Sequence, residues 1–130
     1  MNKLIYIHYY YNDEKDLGIP LETKVEITDK ITISTKYIDY YDIKKVNEEV
    51  STFDLNNELW NEIDKLKLEK LNDNYYNDSL GSKYKVVLNN KVIEGNYYPE
   101  EILDLRYLLN IKEIVKAESL KIQEKVLKGD

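Results

Sequence analysis

The 130-residue chain is expected to fold as one α+β domain, residues 1–130, with an antiparallel sheet of about five strands, one central helix and a C-terminal helix packed on it. Three observations lead to that class. Two alternating segments pair as hairpins in a single favourable register each, residues 55–71 carry a helical stripe, and a second stripe follows Pro99.

Residues 4–11 place β-formers on both alternating sets: Ile5, Ile7, Tyr9 and Tyr11 against Leu4, Tyr6, His8 and Tyr10. That is the pattern of a central strand covered on both faces. Residues 12–20 are polar, then punctuated by Gly18 and Pro20, and read as a loop. In 23–27 and 31–38, the connection Thr28-Asp29-Lys30 sets Ile27 opposite Ile31 and Val25 opposite Ile33, keeping one face apolar. A two-residue turn would oppose Val25 to Ser34, so the pattern selects the longer loop. Residues 37–46 extend the second strand with a bend.

Asp54 is placed to cap a helix that begins at Leu55. Leu55, Leu59, Ile63 and Leu66 repeat at helical spacing, and Trp60 and Leu71 widen the stripe. Residues 72–79 form an Asn- and Asp-rich loop around Tyr75 and Tyr76, bounded by Gly81. A two-residue turn at Asn89-Asn90 then pairs Val86 with Ile93, Val87 with Val92 and Lys85 with Glu94. Pro99 takes the first position of the last helix, Glu100 and Glu101 follow where the dipole favours acids, and Ile102, Leu105, Leu108 and Leu109 form its buried side. The stripe runs on through Ile111, Val115, Ile122 and Val126. An unbroken helix of about 30 residues would be about 45 Å long, more than such a domain is wide. Either Asn110 breaks it, or its end protrudes and a homodimer forms through the C-terminal helix.

Charge and composition narrow the function classes. The net charge is -6, from 25 acids and 19 bases, and Arg106 is the one arginine. Direct nucleic-acid binding, which needs clustered bases on phosphates, is therefore not expected. Cysteine is absent, which removes disulfides, thiolate metal sites and thiol nucleophiles. Residues 1–10 lack the charged-then-apolar layout of a signal peptide, and no window approaches about 20 apolar residues, so a cytoplasmic protein without a membrane span is expected.

The search for chemistry finds little. His8 is the single histidine and lies in an apolar strand, where packing is the simpler use. No serine sits in a glycine-flanked nucleophile elbow. The pairs Asp39 with Asp42 and Glu48 with Glu49 read as a solvated face, because nothing predicts the burial that would split their pKa values. Asp73, Asn74, Asn77 and Asp78 offer oxygens without calcium-loop spacing, and no two glycines are close enough for a phosphate loop. No catalytic residue, cofactor or metal is expected.

Recognition of another protein remains, through Tyr37, Asp39, Tyr40, Tyr41 and Asp42, then Tyr75 and Tyr76, then Tyr97 and Tyr98, each group beside a loop or bend. Tyrosine offers apolar area and a hydroxyl at small entropic cost. Yet Lys, Ile and Asn are enriched alongside the 13 tyrosines, as an AT-rich coding sequence would produce, so abundance alone says little. Leu59-Trp60, the Leu80-Gly81 step and Gly95-Asn96-Tyr97-Tyr98-Pro99 resemble layouts in small bacterial proteins and imply no activity. The expected role is a small non-catalytic protein-binding regulator of inhibitor, anti-defence or immunity type, from a bacterium or phage, acting through an acidic, tyrosine-rich surface. The alternatives are a nucleic-acid mimic that blocks a DNA-binding protein, and a small enzyme or ligand binder with a carboxylate and tyrosine pocket.

Overall fold

A computed structural model describes residues 2–10, 20–39, 41–42, 44–76 and 82–128. Of the expected loop at 12–20, Pro20 instead begins a strand and residues 12–19 lie outside the described residues, as do Tyr11, Tyr40 and residues 77–81. The elements are β1 (Leu4–Tyr9), β2 (Pro20–Ile27), β3 (Lys30–Ile38), β4 (Val46–Asp54), α1 (Leu59–Lys65), a single 3-10 turn (Leu68–Lys70), β5 (Lys83–Leu88), β6 (Lys91–Gly95), α2 (Glu100–Leu108) and α3 (Ile111–Lys128). The six strands form one antiparallel sheet in the order β4-β3-β2-β1-β5-β6.

Both expected hairpins form in the expected register. Ile27 faces Ile31 and Val25 faces Ile33 across β2 and β3. Val86 faces Ile93, Val87 faces Val92 and Lys85 faces Glu94 across β5 and β6. In each case a one-residue slip would turn apolar side chains to water, and that penalty selects the pairing. β1 is internal, between β2 and β5. Its Leu4, Tyr6 and His8 are buried beneath the helices, while Ile5, Ile7 and Tyr9 on the other face are only half-buried. Lys3 with Glu26 at 3.1 Å and Lys36 with Glu22 at 3.3 Å cross that wetter face.

The sheet has six strands where about five are expected, and the addition is β4. β3 stops at Ile38, the chain turns, and residues 46–54 return along β3 from Val46 opposite Ile38 to Asp54 opposite Lys30. Asp54 therefore ends a strand and caps no helix. The expected 55–71 helix is shortened to α1, whose N-cap Glu58 makes no side-chain bond, and Lys67 with φ 58° turns the chain into the 3-10 turn. Of the two alternatives for the C-terminal stripe, the break is the one observed: Asn110 adopts φ 58° between α2 and α3. Asparagine tolerates this left-handed geometry better than most residues, which is why the helix stops there.

At the other edge of the sheet, Tyr75 lies across β6. Its amide donates to Glu94 O at 2.8 Å, and the amides of Asn96 and Tyr97 donate to its carbonyl at 2.8 and 2.6 Å. A Cβ on Gly95 would overlap that Tyr75 carbonyl, so the crossing requires glycine. Gly95→Ala should therefore destabilise the protein by about 3 kcal/mol, read from the urea midpoint. A shift worth less than about 1 kcal/mol would mean that the Tyr75 crossing adds nothing to the fold.

Candidate functional site

Side chains that share a row of the sheet share a face. The helix-side rows comprise Leu4, Ile27, Ile31, Phe53 and Leu88; then Tyr6, Val25, Ile33, Val86 and Ile93; then His8, Thr23, Thr35 and Tyr84. Burial grades along them. From β6 to β2 these residues are buried apart from the half-buried Leu88 at a strand end; Ile31 and Ile33 on β3 are half-buried, and Phe53 on β4 is 51% exposed.

The gradient marks a hollow of about 510 Å³ at the sheet end where β2 turns into β3. Val25, Ile27, Ile31, Ile33 and Phe53 form its floor. Leu108, Leu109 and Ile114, around the α2–α3 break, form one wall. The other wall is Leu59 of α1, with Asn56, Glu58 and Glu62 at the lip. Trp60 holds this wall in place, since its indole N–H donates to the Thr28 carbonyl at 3.1 Å and ties α1 to the β2–β3 turn. Glu58 and Glu62 are four apart, so both carboxylates fall on one side of α1. Among the described lining residues there is no hydroxyl, thiol, imidazole or amine, so the hollow offers apolar contact area beneath Glu58 and the carboxylate of Glu62, which is ion-paired to Lys65 at 3.1 Å.

Of the nine residues expected at a partner surface, the eight that are described are not gathered there. They lie at the opposite end of the sheet, where β3 and β6 finish, in two groups four strand steps apart, about 19 Å. Several do internal work. Asp39 clasps the β3–β4 turn: Oδ1 accepts the amides of Tyr41 at 2.9 Å and Asp42 at 3.1 Å, and Oδ2 accepts Asn47 Nδ2 at 2.6 Å. Led by the Asn47 bond, these donors hold its carboxyl below the usual range. The Tyr75 hydroxyl accepts the Asn72 amide. Tyr98 stacks on Arg106 at 4.8 Å, tilts against Tyr84 at 4.9 Å and donates to Ser82 O. Tyr37 is half-buried at the end of β3, and Tyr40 is outside the described residues. Tyr41, 70% exposed, with Asp42, Tyr76 and Tyr97, faces solvent.

Between those groups and the hollow, under α2 and α3, lies a partly buried polar cluster that contains the single histidine and the half-buried single arginine. Arg106 donates to the Tyr6 hydroxyl at 2.6 Å and lies 5.8 Å from the Tyr6 ring centroid. Among the described residues its positive charge meets no carboxylate and rests on the two ring faces. Burial raises the Tyr6 phenol well above its ordinary range, and Arg106 only partly offsets this. The Tyr10 hydroxyl, Thr23 Oγ1 and Thr35 Oγ1 form a chain at 2.7 and 2.9 Å. His8, 7% exposed, packs edge-on against Tyr10 at 4.7 Å with Nδ1 unpartnered.

Sequence reasoning does not single out the hollow, because Ile31, Ile33 and Leu59 read as ordinary core positions and Phe53 falls between assigned elements. The signal for Phe53 is faint: an apolar residue on one alternating set whose companions are Asn47, Glu49 and Ser51. Among the described residues no group of three or more His, Cys, Asp or Glu could hold a metal ion. No described helix is long and apolar enough to cross a membrane. No protein-family model matches the sequence, and no curated protein matches it.

Burial, then Arg106, pushes the His8 imidazole from 6.5 down to about 4. The fold holds it neutral while the unfolded chain protonates readily, so its contribution is complete above pH 6.5 and is lost as the pH falls toward 4. At pH 5 the loss should be on the order of 2 kcal/mol relative to pH 7. Urea titrations from pH 7 to 4 should show this slope in the wild type and a flatter one in His8→Phe. Equal slopes would mean that His8 is solvated in the fold.

Proposed function

We propose that this chain is a non-catalytic protein-binding regulator, of inhibitor, anti-defence or immunity type, that seats an apolar segment flanked by basic residues from another protein in the hollow beside α1. The observation that carries this reading is the half-exposed Phe53 at the open side of a 510 Å³ apolar floor, beneath Glu58 and Glu62. Apolar area left in water at a concave site is costly unless something covers it. Small-molecule sites enclose most of their ligand, whereas this one opens at the edge of the sheet, the geometry that accepts an amphipathic helix or strand with protruding anchors. Glu58, and Glu62 on exchange of its weak exposed pair with Lys65, favour a partner with Lys or Arg beside those anchors and speed its approach. The chain's net charge of -6 acts in the same direction. Tyr41, Asp42, Tyr76 and Tyr97, at the far end of the sheet, serve at most as secondary contacts.

Affinity capture from the native host with wild-type and variant baits tests this. Phe53→Asp should release the captured protein, and with purified partner it should weaken binding at least 30-fold while circular dichroism shows an intact fold. Glu58→Lys with Glu62→Lys should weaken binding about tenfold and remove much of its salt dependence. If solvent extraction of the purified wild type yields a stoichiometric apolar small molecule that Phe53→Asp lacks, and no protein is lost from the variant bait, the chain is a ligand carrier and the reading fails.

A further inference from the structure

The two edges of the sheet are treated differently. β6 has five residues, and Tyr75 covers its end through the bonds already described. β4 has nine residues, pairs with β3 without a register shift, and ends the sheet. Alternate residues of an edge strand aim their N–H and C=O groups away from the sheet, and exposed edges are usually blunted by proline, lysine, a bulge or shortness. Residues 46–54 have none of these; their one charge on the helix side, Glu49, is neutralised within the chain, and Val46, Val50 and Phe53 are 55%, 56% and 51% exposed. The charges on β4 are all acidic: Glu48, Glu49 and Asp54, with Glu49 paired to Lys125 of α3.

We propose that β4 is the dimerisation surface of this protein, pairing antiparallel with β4 of a second copy about a two-fold axis through Val50, to give a continuous twelve-stranded sheet. The axis must be normal to the sheet, and residues directly opposite must share a face, so the allowed registers differ by two residues. Centring on Val50 pairs all nine residues, and every acid then meets an uncharged side chain: Glu48 faces Thr52, Glu49 faces Ser51 and Asp54 faces Val46 of the second copy. The next register on one side opposes Glu49 to Glu49, and the next on the other opposes Glu48 to Asp54. Like charges directly opposite destabilise a pair, so the fully paired register is also the electrostatically favoured one. It covers Val46 and Val50 and leaves the Glu49–Lys125 pair in place.

Sedimentation equilibrium of the full chain should give twice the 15.5 kDa mass. Thr52 is exposed and faces away from the hollow, so its variants leave the lining of the hollow unchanged. Thr52→Glu, set against Glu48 twice per dimer, should weaken association about tenfold, and Thr52→Lys should strengthen it by a similar factor. Cysteine is absent from the wild type, which allows a geometric test of the register. Val50→Cys places two thiols about 5 Å apart by Cα and should form a disulfide-linked dimer in air, whereas Thr52→Cys, about 14 Å apart along the strands, should not. A monomer at every concentration up to about 100 μM would overturn the proposal. So would Thr52→Glu and Thr52→Lys dimers of equal affinity, or a dimer dissociated by Leu120→Glu on α3 and unmoved by Thr52→Glu.

Discussion

Coverage governs this architecture. Six strands at about 4.8 Å spacing make a sheet about 24 Å across, while a helix with its side chains covers about 10 Å. α2 and α3 together cover most of the distance from β6 to β2, where the helix-side residues of β1, β2, β5 and β6 are buried except at the strand ends. α1 has seven residues and is too short to roof the remainder. The hollow follows from this deficit: β3 and β4 extend the sheet beyond its helical cover, and apolar side chains needed on the inner face of the hairpin are left half in water.

The buried centre shows a second compromise. Desolvating a cation without a counter-charge is unfavourable, yet Arg106 is held by a hydroxyl and two ring faces. Aromatic quadrupoles and one short hydrogen bond return part of the lost hydration, and the Arg106 charge in turn helps to keep His8 neutral. The Tyr10, Thr23 and Thr35 hydroxyls satisfy one another across three elements, so their cost of burial is largely offset. Polar groups at the middle of the helix-covered face thus position α2 and α3, and the α2–α3 break supplies one wall of the hollow.

Legibility in the sequence tracked burial. The two hairpins were readable because a slip in register exposes Val25, Ile27, Val86 or Ile93, a penalty written into the residue order. β4 was not readable: an edge strand is wet on both sides, so residues 46–54 mix polar side chains with Val46, Val50 and Phe53 at spacings of four and three and carry no period of two. The same strand displaced the expected cap, since it runs on to Asp54, opposite Lys30, and the helix begins only at Leu59. The site residues divide likewise. Asp39 and Tyr98 read as surface recognition elements, but one is a turn clasp and the other a platform for Arg106, roles set by groups 8 residues away in the chain for each: Asn47 and Arg106.

By itself the sequence determined what is local or strongly selected by burial: the α+β class, the two hairpin registers, the acidic charge and the absence of thiol chemistry, while it left the break at Asn110 as one of two alternatives. Those properties depend on residues close in the chain, where spacing alone sets the energetics. Only the tertiary structure decided that β4 completes the sheet, that the single histidine and arginine share one partly buried cluster, and that an apolar hollow opens beside α1. Each of these arises from how much surface one layer can cover on another, a property of assembled volumes that no stretch of the chain carries alone.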